Sequence, residues 1–133
     1  MLPEKILEPG TLRQRDGKVS VSVRMPWYRA LPLSSVTDVS LEVDGVRVPS
    51  ESLRWTLQGR SFALDELPPR HDQWWYVLDS ARVEGDLPAL DPEVPHEVHA
   101  TVGLFIPYIV VGDDTLKIVE HDRKTMHVEE AGS

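Results

Sequence analysis

The dipeptide Asp44-Gly45 constrains this chain more than any other short stretch. It stands between Val39-Ser40-Leu41-Glu42-Val43 and Val46-Arg47-Val48, two runs in which aliphatic and polar residues alternate. Alternation with period two sends one set of side chains to one face of a strand and the other set to the opposite face. Asp-Gly between two such runs predicts a two-residue type I′ turn, because both central residues need positive φ and these two adopt it at low cost. The turn sets the register: Val43 opposite Val46, Leu41 opposite Val48, and Glu42 opposite Arg47 on the solvent side. Pro49 has no N–H to donate and ends the ladder.

The same pattern recurs along the chain. Residues 19–24 alternate Val with Ser and end in Arg, so Val19, Val21 and Val23 share a face. A strand over 36–43 leads into the Asp-Gly turn. Residues 53–57 and 62–64 are expected to pair through Gln58-Gly59, with Trp55 facing Phe62 and Leu53 facing Leu64. Residues 74–78 and 81–84 form a third expected hairpin through Asp79-Ser80. Residues 97–106 are the longest alternating run, with Val98, Ala100, Val102, Leu104 and Ile106 on one face. Gly103 within it marks a bulge or a close backbone approach. Residues 109–111 and 116–119 add the last strands. Eight or nine short strands with no long helical period predict an all-β chain, an antiparallel β-sandwich or a jelly-roll-like fold in a single domain. Its expected parts are an irregular N-terminal segment over 1–18, interrupted by Pro3, Pro9, Gly10 and Gly17, a sandwich domain over 19–120, and a polar C-terminal tail over 121–133 that frays.

Composition narrows the function. One domain is what 133 residues allow. With no cysteine, neither a disulfide nor a thiolate metal site is available. No apolar run of 18 residues and no basic leader is present, so neither a membrane nor an export route is expected and the cytoplasm is. The net charge of −8 disfavours nucleic acid, whose phosphates such a surface repels. His96 and His99 are three apart on an expected strand, so they point to opposite faces and cannot chelate one ion together. His121 and His127 fall in or near the expected tail, and His71 lies in a loop. Asp113-Asp114 follows Gly112 as a turn would, without the ligand spacing of a calcium loop. No nucleophile elbow, P-loop or dinucleotide fingerprint is present. The expectation is no catalytic residue and no metal ligand in this chain.

The remaining signal is aromatic. Met25-Pro26-Trp27-Tyr28-Arg29-Ala30-Leu31-Pro32-Leu33-Ser34-Ser35 joins two strands yet carries far more apolar surface than a connector needs. Its two prolines stiffen it. Such a loop either plugs one end of its own sandwich or docks on a partner. The expected partner-binding residues are Pro26, Trp27, Tyr28, Arg29, Leu31, Pro32 and Leu33. Trp74 and Trp75 are adjacent on an expected strand, so one packs in the core and the other is spare for an interface or a ligand.

The run Pro26-Trp27-Tyr28-Arg29-x-Leu31-Pro32-Leu33-Ser34 resembles the small (beta) subunit of bacterial C-glycoside deglycosidases. Pro9-Gly10-Thr11-Leu12, Val43-Asp44-Gly45, Trp74-Trp75-Tyr76 and Phe105-Ile106-Pro107-Tyr108 follow in a similar order. The resemblance implies a partner, a larger alpha subunit of TIM-barrel type, which carries the divalent metal, usually manganese, and the catalytic base. It implies a lyase that breaks the C–C bond between a 3-oxo sugar and an aromatic aglycone such as a flavonoid. This chain would then be a structural subunit. The alternative left open by the residues is a free-standing β-sandwich that binds carbohydrate or polyphenol. A small jelly-roll enzyme would need a His-rich metal pattern that is absent.

Overall fold

A computed structural model describes residues 6–27 and 29–130. Two sheets enclose one apolar core. The larger has six strands in the order β12-β1-β2-β9-β6-β7. These are Glu129–Glu130, Arg13–Arg15, Lys18–Arg24, Ser80–Asp86, Arg54–Leu57 and Arg60–Ala63. The smaller has four in the order β11-β10-β4-β5: Asp114–Met126, His96–Val111, Val36–Val43 and Val46–Arg47. A short pair, β3 (Leu31–Pro32) with β8 (Trp74–Trp75), lies apart from both. All pairings are antiparallel except β1 with β12.

The Asp44-Gly45 hairpin forms as its residues require. Asp44 and Gly45 take φ of 52° and 79°, Val43 pairs with Val46, and Glu42 with Arg47. The Val48 N–H then donates to the Leu41 carbonyl at 2.9 Å. Gln58 and Gly59 make the same turn, and Trp55 faces Phe62. Leu53 does not face Leu64, because Arg54↔Ala63 is the last pair and Leu64 starts a 3-10 turn. The strand faces match the alternation: Val19, Val21, Val23, Val98, Ala100, Val102, Leu104 and Ile106 are all buried. Trp75 is fully buried and Trp74 is exposed, the split that adjacency demanded. Trp55 and Trp75 meet edge to face, ring centroids 5.0 Å apart, near the centre of the core.

Gly103 has both features expected of it. The register of β10 against β4 slips between Thr101 and Gly103, and a Cβ on Gly103 would lie 2.4 Å from Thr37 Oγ1.

Three further expectations are corrected. The third hairpin, 74–78 with 81–84, does not form: β8 pairs with Pro32 and Leu31, and β9 runs between β2 and β6. The reason is Trp75, which needs burial and whose indole N–H donates to the Asp79 carbonyl, so residues 76–79 turn tightly. The segment 1–18 is not irregular throughout, because Asp16-Gly17 repeats the I′ turn and pairs β1 with β2. The tail over 121–133 does not fray as far as residue 130. β11 runs to Met126 and β12 pairs with β1, while buried Asp122 accepts the Leu7 N–H at 2.7 Å. The sandwich therefore extends past the boundaries expected at 19 and 120.

Candidate functional site

The aromatic loop leaves β2 and folds back on the molecule. Met25 and Pro26 are buried. Leu31 and Leu33 are also in the core, at 2% and 0% exposure. Backbone bonds hold this half of the loop, with the Leu33 N–H donating to the Gln73 carbonyl and the Ser34 N–H to the Arg70 carbonyl. Pro26, Leu31 and Leu33 therefore act as the plug, and as partner-facing residues they are withdrawn. Tyr28 lies outside the described residues. What stays toward the surface is Trp27, half-buried, with exposed Arg29 and half-buried Pro32.

Trp27 packs on the core edge and its indole Nε1–H donates to the Tyr108 hydroxyl at 2.5 Å. The Arg29 guanidinium sits over the same ring, 5.5 Å from its centroid. An aromatic face attracts a cation in this position. The loop thus grips Tyr108, which belongs to β10.

β10 and β11 make a long hairpin that outruns its neighbour. β4 pairs with β10 only as far as Leu104↔Val36. Beyond that point β10 and β11 pair with each other alone, slip register between Ile106 and Val110, and turn at Gly112, φ 64°. This projecting arm carries Phe105, Tyr108, Val110 and Val111 on its surface, the two valines 64% and 60% exposed. At its base Lys117 Nζ reaches Asp38 at 2.6 Å and lies 5.7 Å from the Phe105 ring. The hydrogen bond from Lys117 holds the Asp38 carboxyl below its usual range. An open groove of about 620 Å³ runs beside the base, lined by Pro32, Ser34, Pro68, His71, Phe105 and Pro107.

A second apolar patch stands on the turn after β8. Trp74, Tyr76 and Val77 are exposed there and Leu78 is 96% exposed. Beneath it Gln58 donates to Asp79 and Arg60 to Gln73, so the turn is braced by a polar network.

His96, His99 and His121 make contacts within the fold. His96 is buried, with Nδ1 2.6 Å from Asp44 Oδ2 and Nε2 2.7 Å from the Asp91 carbonyl. Both partners are acceptors, so both ring nitrogens donate and the ring is an imidazolium. Burial disfavours that charge, but the bonds to Asp44 and Asp91 outweigh it and raise the His96 pKa. The hydrogen bond from His96 correspondingly lowers that of Asp44. His99 faces away from His96 and stacks on His121, centroids 5.7 Å apart, while Thr101 Oγ1 lies 2.9 Å from His121 Nδ1. His121 thus sits in a strand. Among the described residues no group of three or more His, Cys, Asp or Glu side chains is placed to hold a metal ion.

Sequence reasoning missed the arm. The signal was Ile109-Val110-Val111, an apolar run without alternation next to a Gly-Asp-Asp turn, which cannot bury both faces in a two-stranded ribbon.

Residues 12–108 match the protein family described as C-glycoside deglycosidase beta subunit. A "C-glycoside deglycosidase beta subunit" of Arthrobacter globiformis is 48% identical over 96% of this chain and 98% of its own length. One of Microbacterium trichothecenolyticum is 46% identical over 95% and 96%. A "3'-dehydrocarminate deglycosidase beta subunit" of a Microbacterium species is 38% identical over 98% of each.

Proposed function

This chain belongs to the C-glycoside deglycosidase beta subunit family, and on that premise we propose that it is the non-catalytic member of a hetero-oligomer with a TIM-barrel alpha subunit. The assembly acts as a carbon–carbon lyase on C-glycosides whose sugar is already in the 3-oxo form, with a flavonoid or similar aromatic aglycone. The relative named for 3'-dehydrocarminate supports this substrate class. The C3 carbonyl acidifies the proton on C2. A base removes that proton, its electron pair forms the C1–C2 double bond, and the C1–aglycone bond breaks as the aromatic carbon takes up a proton.

The base belongs to the alpha subunit in this reading. So does a divalent metal, manganese, for which the described residues of this chain offer no converging ligands. None of the steps above is assigned to a residue of this chain. Its contribution is to buttress the alpha subunit through Trp27, Arg29 and the surface around them. Among the described residues no helix is long and apolar enough to cross a membrane, and we place the assembly in the cytoplasm.

The observation that carries the proposal is the exposed apolar arm gripped by Trp27, on a chain whose buried His96 is engaged with Asp44 in a fold contact. The groove lined by Phe105, His71 and three prolines favours a second reading, a free-standing module that binds carbohydrate or polyphenol. Incubation with a 3-oxo-C-glycoside and Mn²⁺, with and without the alpha subunit, separates the two. Turnover only in the mixture is expected. Turnover by this chain alone, or tight polyphenol binding with no effect on an alpha subunit, would overturn the subunit reading.

A further inference from the structure

We infer that the β10–β11 arm beyond Ile106 is the element that enters the alpha subunit, seating in an apolar cleft with basic side chains at its far end. This rests on the subunit reading above and adds to it which part of the chain docks and what the receiving surface is made of.

A two-stranded ribbon is marginal by itself in water and gains nothing from displaying valine. Here Val110 and Val111 are neighbours in sequence, so they stand on opposite faces of the ribbon, and both are exposed. One covering surface on one side cannot bury both. A cleft that takes the ribbon between two walls does. The partner each valine has across the hairpin is polar: Val110 pairs with Thr115 and Val111 with Asp114. Neither cross-strand neighbour shields its valine with apolar surface.

The arm is also held ready. Trp27 donates to Tyr108, Arg29 covers its ring, and Lys117 ties β11 to Asp38 on β4. These three contacts hold the hairpin at Tyr108 and Lys117 and leave its outer turn, paired through Val110↔Thr115 and Val111↔Asp114, uncovered. An element ordered before binding loses less freedom on docking.

Charge identifies the far end of the cleft. The tip turn carries Asp113 and Asp114, both exposed, and no cation among the described residues pairs with either. The nearest basic side chain along β11, Lys117, is already engaged with Asp38. Two carboxylates at the tip of an apolar ribbon fit a cleft that is apolar along its walls and carries Lys or Arg at its end.

The test uses the full chain and the purified alpha subunit that gives turnover with it. Affinity is measured by titration at low and moderate salt. Val110→Ser with Val111→Ser is expected to weaken association roughly thirtyfold, the size of a hot-spot loss. Asp113→Lys with Asp114→Lys is expected to weaken it and to flatten or reverse its salt dependence. Far-UV spectra and melting curves of the free variants confirm that each is folded, since these positions are exposed. If both variants bind like wild type while wild type binds and gives turnover, the arm is not the docking element and the subunit reading stands. If the wild-type chain neither binds nor activates any alpha subunit, both readings fall together.

Discussion

The two halves of β10 make the clearest comparison in the molecule. From Val98 to Ile106 the apolar side chains of one face are buried to 2% or less. From Tyr108 to Val111 the residues are as apolar, and three of the four are exposed. The chain is the same strand throughout. What changes is the surroundings: the first half has β4 beside it and the six-stranded sheet across from it, and the second half has β11 alone. Apolar content in a strand thus reports a second layer, and where that layer is missing from the chain, a partner is the place to look for it.

Breaking the core half should have the largest effect. Trp75→Ala removes a fully buried ring that packs on Trp55, and it should cost about 3–5 kcal/mol of stability in urea unfolding. A cost under about 1 kcal/mol would show that the sandwich is packed differently.

Filling the tight approaches should cost less. A Cβ on Gly85 would lie 2.4 Å from Val48 Cγ1, in the body of the core. Gly85→Ala should therefore lower stability by about 1–3 kcal/mol through overpacking. Thermal unfolding checks this, and an unchanged melting temperature would mean that Val48 moves aside freely.

The His96–Asp44 clamp gives the sandwich half a pH signature that the arm lacks. The His96 pKa is raised above its ordinary 6.5, so its contribution is complete below that value and is lost as pH rises through the raised one. The Asp44 pKa is lowered from 3.8, so its contribution is present above 3.8 and is lost as pH falls through the lowered value. The clamp is therefore strongest between these two ordinary values. The melting temperature should fall as pH rises past 6.5, and His96→Asn should remove most of that slope. A wild-type profile flat from 6 to 8 would contradict the imidazolium.

The arm half should be the least sensitive of all in the isolated chain. Val110→Ser and Val111→Ser should each change stability by no more than about 0.5 kcal/mol, as exposed substitutions do. A loss above about 2 kcal/mol would mean that the valines are buried within the chain and need no outside cover.

Much of the sandwich was legible because its signals are local. Asp44-Gly45 and Gln58-Gly59 name their own turns, and valine alternation names the faces. Asp16-Gly17 carries the same signal, but Arg13-Gln14-Arg15 before it is polar throughout and shows no alternation, so β1 is not legible in the sequence. The Trp74–Leu78 hairpin misled because adjacency in sequence suggested pairing, whereas burial of Trp75 and its bond to Asp79 sent β8 to Pro32 instead. The partnership of Trp27 with Tyr108 spans 81 residues, and no spacing rule reaches that far. The aromatic loop was recognisable as unusual from its composition, yet only the fold shows that its leucines plug the core while its Trp and Arg hold the arm.

The central claim is that the sandwich is scaffold and the arm is the part that meets the alpha subunit. Hydrogen–deuterium exchange on the chain alone and in the complex tests it most directly. The account predicts that amides over 106–116 exchange readily in the free chain and become strongly protected in the complex, with little change in β2, β9 and β6. Unchanged exchange over 106–116, with new protection confined to another face such as the Tyr76–Leu78 turn or the β7 edge, would contradict it.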